Sequence, residues 1–354
     1  MRDGSPRWLA LATLLVAGCD IPTSTRTPII QSQFLVPVKA DSVGVAELLP
    51  SGVTLVGGQF RVSVPATTAS QTLGGLCGGL CSGFLPKPQF NGTVTASVSQ
   101  PASVASAVTG TGGTLTLTFT NGLGFDPVRP PGTPSRGRIV TTVTSGTGVV
   151  LVDTLDGTNT AVPGGVSTYT IAIPAGRTLG PVANASMAVF SPATSTAVNM
   201  QPTSAFGVTV TPTAVSAASA TVRVVNEAFS STSASLSFDD LSADVRDRVD
   251  SATAEVAVAN PLAVSGGASL TFRQGAAAIV GPKNVTLSGA AADTLRVRFS
   301  STEIRSLLAS TGATAVFAGT VSGPAGNGNQ VTVTPASQVR LDTRVRLFVR
   351  IDGN

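Results

Sequence analysis

The stretch Thr114-Leu115-Thr116-Leu117-Thr118-Phe119 alternates threonine with an apolar residue at every step. Successive side chains of an extended chain point to opposite faces, so this pattern predicts a strand with one face in a core and a threonine face outside. The same period recurs along the chain, at residues 168–173, 207–211, 221–224, 255–258, 295–299 and 331–334. Clusters of Gly, Pro, Asn and Ser fall between these runs and mark turns. Short strands with such regular punctuation predict an all-β fold built from antiparallel sandwiches. Helical signals occur at two places. Leu241, Val245 and Val249 recur every four residues within 239–250. Ser300-Ser301-Thr302-Glu303 has the form of a capping box ahead of Ile304-Arg305-Ser306-Leu307-Leu308. Each predicts one short helix.

A chain of 354 residues is too long for one ordinary core. Internal repetition indicates how it divides. Val208-Thr209-Val210-Thr211-Pro212 recurs at 331–335, and Ala188-Val189-Phe190 at 315–317. Ile171 and Ile173 match Val297 and Phe299. Leu117-Thr118-Phe119-Thr120-Asn121 matches Val256-Ala257-Val258-Ala259-Asn260, and Phe90 matches Phe229 at that same offset of 139. The ordered set predicts two tandem sandwich-like domains made by internal duplication, the first lengthened by a loop at 124–138. Convergent strand-and-turn composition is the alternative. The resulting division is 1–18, a leader; 19–29, a tether; 30–214, a first sandwich with insertions; and 215–354, a second.

Composition limits the chemistry. The chain is 42% hydrophobic, only 11% charged, and has no histidine. A Ser-His-Asp or Cys-His nucleophile system, a histidine-ligated zinc and imidazole acid–base catalysis are therefore excluded. A formal charge of +4 is too dilute for a nucleic-acid partner. Low charge with high apolar content is not the signature of disorder.

Residues 1–19 read as a targeting segment. Arg2 and Arg7 precede the nine-residue apolar run Trp8 to Val16, too short to span a bilayer and right for a signal-peptide core. The segment ends Leu15-Val16-Ala17-Gly18-Cys19, which resembles the bacterial lipobox. That resemblance implies cleavage before Cys19 and lipidation of its thiol. The membrane would then be a partner through the N-terminal lipid, and the protein would sit in the bacterial cell envelope on the periplasmic or cell-surface face. Two or three acyl chains make a stable anchor. The alternative is an ordinary secretory signal followed by an accidental cysteine. Cleavage would leave 20 basic and 17 acidic side chains and no tryptophan. Residues 21–28, bounded by Pro22 and Pro28, read as a polar tether. In the second half, Ala254-Glu255-Val256-Ala257-Val258-Ala259-Asn260-Pro261 resembles the strand–Asn-Pro–strand opening of the water-stress/LEA-type-2 (WHy) β-sandwich domains. The first copy departs from it, with Asn121-Gly122 at the matching place. The resemblance implies a small sandwich with a helix, and a structural or protective role.

Three groups of residues are candidate sites. Cys77 and Cys81 lie four apart in a glycine-rich stretch, and outside the cytoplasm they are expected to form a disulfide. Closing so small a ring stabilises by only about 2 kcal/mol. The C-terminal strand sets Val339, Leu341, Val345, Leu347, Val349 and Ile351 on one face. Arg340, Asp342, Arg344, Arg346, Phe348 and Arg350 fall on the other. The residues favour a solvated face whose arginines guard against edge pairing. The functional alternative is a basic face for anionic lipid head groups or an acidic partner, extended by Arg296 and Arg298 if their strand joins the same sheet. The carboxylates Asp239, Asp240, Asp244, Asp247 and Asp250 read as a solvated helix with no calcium-loop spacing. Gly110 to Gly113 lack the Lys-Ser/Thr of a phosphate loop and read as a turn.

No catalytic constellation, metal site or cofactor site is expected. The leading expectation is a non-enzymatic, lipid-anchored envelope protein with a structural or binding role and an envelope protein or lipid as partner. The alternative is a lipid-binding or transfer protein with an apolar groove between sheets. An outer-membrane barrel fits the alternation but not a mature chain whose only Tyr or Trp is Tyr169.

Overall fold

The computed structural model describes residues 30–37, 41–146, 148–238 and 240–351. The fold is all-β, with antiparallel strand pairing throughout. In the first sandwich one sheet runs in the order Gly148–Asp156, Arg138–Ser145, Val182–Ser191, Phe90–Ser99. The facing sheet runs Gly165–Ile173, Val104–Asn121, Ala205–Arg223, with Thr67–Thr72 along the outer edge of the last. Leu117, Phe119, Phe206 and Val208 from one sheet bury against Ile139, Ala185, Met187 and Val189 from the other. The alternation at 114–119 is realised in full: Leu115, Leu117 and Phe119 are buried, and the threonines between them are not.

The second sandwich has the same strand order. One sheet runs Ala277–Ser288, Ser265–Gln274, Ala313–Ser322, Glu227–Leu236. The other runs Ala292–Phe299, Val249–Ala259, Gln338–Ile351, Ile30–Pro37. Asn121 ends Val104–Asn121, Asn260 directly follows Val249–Ala259, and the two make corresponding bonds. Asn121 Nδ2 donates to the Phe125 carbonyl (2.9 Å), and Asn260 Nδ2 donates to the Val264 carbonyl (2.8 Å). Both side chains are buried, so each satisfies the loop backbone where water cannot. Other sequence matches are displaced. Residues 208–212 begin the long strand Ala205–Arg223, which corresponds in sheet order to Gln338–Ile351, not to Gln330–Val333. Ala188 is exposed whereas Ala315 is buried, because a slip of one residue exchanges the faces of a strand.

The boundary between the sandwiches differs from the one expected at 214. Ala205–Arg223 runs through that position and pairs with Val104–Asn121 along most of its length, with register shifts between Thr213 and Ser219. Residues 110–113, expected as a turn, lie inside Val104–Asn121, where Gly112 adopts φ +93°. A side chain at Gly112 would meet the Ile173 carbonyl oxygen at 2.4 Å. The pair is a bent ribbon. Leu115, Leu117, Val208 and Val210 enter the first core; Val104, Ala107, Ala217, Ala220 and Val222 enter the second. Hydrogen bonding also moves residues 30–44 out of the expected first domain. Ile30–Pro37 and Asp41–Gly44 both pair with Gln338–Ile351. Alternation identifies strands but carries no record of their partners, which explains both differences.

Three α-helices are present among the described residues. Ser301–Leu308 starts at the expected capping box, with Ser300 Oγ accepting from Glu303 N and the Glu303 carboxylate accepting from Ser300 N. Ala243–Asp247 is shorter than the expected 239–250 because Val249 already begins a strand. Leu73–Cys77, not expected, packs on Phe90–Ser99, where a Cβ at Gly92 would come within 2.3 Å of Leu76.

Candidate functional site

The outer face of the sheet containing Gln338–Ile351 carries a run of arginines. Its inward residues Leu341, Val345, Leu347 and Val349 are buried. With period two, the intervening positions point outward. Ala292–Phe299 lies in this sheet, so Arg296 and Arg298 join Arg340, Arg344, Arg346 and Arg350 on one surface. Cross-strand register arranges them in rows. Leu35, Arg346, Thr253 and Arg298 stand side by side, and Pro37, Arg344, Glu255 and Arg296 form the next row. Gln31 opposite Arg350 and Gln33 opposite Phe348 complete the end nearer the N-terminus.

Glu255 is the central anion. Its carboxylate contacts Arg346 Nη2 at 3.1 Å and Arg296 Nε at 3.6 Å. Arg346 also donates through Nη1 to Gln33 Oε1 at 2.9 Å. A groove of about 470 Å³ runs between these side chains, lined by Gln33, Thr253, Glu255, Arg296, Arg298, Arg346 and Phe348. Arg298, Arg340 and Arg344 form no ion pair among the described residues. The arrangement can bind anions.

The other sequence-singled residues lie elsewhere. Cys19 is outside the described residues. Cys77 and Cys81 are joined by a disulfide, with Cα atoms 5.8 Å apart, at the end of Leu73–Cys77. Leu80 inside the ring, and Phe84 and Leu85 in the following strand Gly83–Pro86, are exposed. Asp240, Asp244, Asp247 and Asp250 assemble no metal-binding group among the described residues. No helix among those residues is long and apolar enough to cross a membrane. Where the alternative reading would place an apolar groove between the sheets of the first sandwich, the described residues enclose a cavity of about 50 Å³, lined by Val62, Leu115, Val143, Leu151, Ile173 and neighbours. That is small against the roughly 300 Å³ at which ligand pockets begin.

Sequence reasoning missed Lys87. It is 1% exposed, yet charged. Its Nζ donates to the carbonyls of Pro88 (3.1 Å) and Pro192, and lies 4.9 Å from the Phe90 ring centre and 5.5 Å from that of Phe125. Burial lowers the amine to about 8. The backbone N–H of Lys87 donates to Thr194 Oγ1 at 2.7 Å. The residue thus pins the 192–196 segment over the core. Its flanking prolines were the only local signal, marking an irregular segment without indicating that it is covered.

No protein-family model and no curated protein matches the sequence. Among solved structures, a Parabacteroides distasonis protein described as secreted aligns over 89% of this chain and 99% of its own. The identity is 6% and the TM-score 0.36. The structure of broad bean stain virus aligns over 77% and 91%, at 10% identity and a TM-score of 0.19. Likenesses this distant carry no argument about function.

Proposed function

We propose that the protein is a non-enzymatic, lipid-anchored component of the bacterial envelope, with a binding or structural role. The observation that carries this reading is where the tether joins the fold. Ile30–Pro37, the first described strand, lies at a sheet edge, and Ile30 is only eleven positions after Cys19, so a lipid on that cysteine would need only a short tether to the fold. The shared strand order and the matched bonds of Asn121 and Asn260 support an origin by internal duplication. The lipid-carrier alternative is weakened by close packing between the sheets, since a cavity of about 50 Å³ is too small for an acyl chain.

The test is processing in a bacterial host. Inhibition of lipoprotein signal peptidase by a globomycin-type compound is expected to leave the precursor uncleaved, and Cys19→Ala is expected to abolish incorporation of labelled fatty acid. Normal maturation in the presence of the inhibitor would overturn the anchor.

A further inference from the structure

We propose that the arginine face of the second sandwich is a docking surface for the anionic head groups of the membrane that holds the anchor. The identity of that membrane rests on the reading above; the affinity of the face for anionic lipid does not.

Charge segregation is the first argument. The face carries Arg296, Arg298, Arg340, Arg344, Arg346 and Arg350 against Glu255 and Asp342, with Asp250 exposed in the bulge at its end. The other residues of the mature chain balance, with 14 basic and 14 acidic side chains. The net positive charge of the mature protein therefore resides on one sheet surface, a distribution that attracts an anionic plane and orients the molecule upon it.

Position in the sheet is the second. Edge-guarding arginines belong on strands with an open edge. Gln338–Ile351 is an interior strand, bonded on one side to Ile30–Pro37 and Asp41–Gly44 and on the other to Val249–Ala259. Its four arginines guard no edge along the paired stretches, whereas Arg296 and Arg298 lie on the edge strand Ala292–Phe299. Arg298, Arg340 and Arg344 are not used up in ion pairs among the described residues. Arg298 and Arg346 flank Thr253 one strand spacing away on each side, about 10 Å apart at the backbone, leaving room for a phosphate between them. Leu35, 51% exposed, stands beside Arg346 and supplies an apolar contact at the same level.

Reach is the third. Ten residues separate Cys19 from Ile30, a contour of at most about 40 Å, and Ile30–Pro37 begins beside Arg350. Anchoring would hold the face close to head groups at high effective concentration, so weak individual contacts suffice.

The experiment uses the full mature chain with Cys19→Ser, which is unacylated, so that a failure of the face is distinguishable from a failure of the anchor. Sedimentation with phosphatidylglycerol-rich vesicles is compared with sedimentation with pure phosphatidylcholine vesicles. Binding to the anionic vesicles alone is expected, weakening as salt rises. Arg298→Gln with Arg344→Gln is expected to lower the partition coefficient about five-fold per arginine removed. Arg298→Lys with Arg344→Lys retains binding, which separates charge from folding, and circular dichroism checks each variant. Equal binding to both vesicle types, no binding to anionic vesicles, or indifference to the glutamine pair would overturn the proposal. Capture by a soluble acidic protein in the absence of vesicle binding would overturn it as well.

Discussion

Lys87 shows what a single residue contributes when it is charged and covered. Two backbone carbonyls and two aromatic rings surround its ammonium group, yet burial still lowers the amine to about 8. The unfolded chain keeps this proton until near 10.5. Between about 8 and 10.5 the unfolded state therefore binds more protons, and stability should climb with pH across that window. Urea denaturation measured across it should show this climb in the native protein and lose it in Lys87→Met. That variant should also be destabilised near neutral pH by about 1–3 kcal/mol, because the Pro88 and Pro192 carbonyls lose their donor. A pH profile in the variant identical to the native one would remove Lys87 as its source. None of this was legible in Pro86-Lys87-Pro88. A lysine is ordinarily a surface residue, and only the return of the 192–196 segment covers this one. Asn121 and Asn260 were legible as a matched pair, but their shared bonding to the backbone four residues on was not.

Elements follow local chemistry where that chemistry is complete. The capping box at Ser300 and Glu303 fixed both the existence and the start of Ser301–Leu308. Glu303 also pairs with Lys283 at 2.6 Å. Lys283, followed by the Ser300 backbone N–H, holds its carboxyl below the ordinary range. This contribution is present above the unfolded-state value and is lost as pH falls through the lower folded one. Ser300→Ala should cost about 1 kcal/mol, and Glu303→Gln should flatten the acid limb of the stability profile; thermal denaturation from neutral to acid pH reads both. Period two was equally reliable for strands, as 114–119 and 338–351 show. It failed at 110–113, where glycines that ordinarily end a strand instead let one bend. A turn and a bulge draw on the same permissive residue, and only the partner strand distinguishes them.

At the scale of the whole molecule, the sandwiches are not separable along the sequence. Residues 41–62 and both strands of the bent ribbon supply Val43, Val45, Phe60, Val104 and Ala217 to the second core. A fragment of residues 215–354 should therefore fail to fold alone, showing neither dispersed amide resonances nor a cooperative melt. A cooperative transition in that fragment would contradict the shared core. The sequence division at 214 fell within a strand because Thr211-Pro212-Thr213, which reads as a break, is carried inside Ala205–Arg223 with Pro212 opposite Leu115.

The pairing of Ile30–Pro37 with Gln338–Ile351 joins nearly the first and last described residues of the chain. A polypeptide synthesised amino end first makes one half of this clasp about 300 residues before the other. The second sandwich can therefore close only after Gln338–Ile351 has emerged, and until then Ile30–Pro37 lacks that partner. Removing Gln338–Ile351 would strip Ile30–Pro37 of its pairing and bare one side of Val249–Ala259.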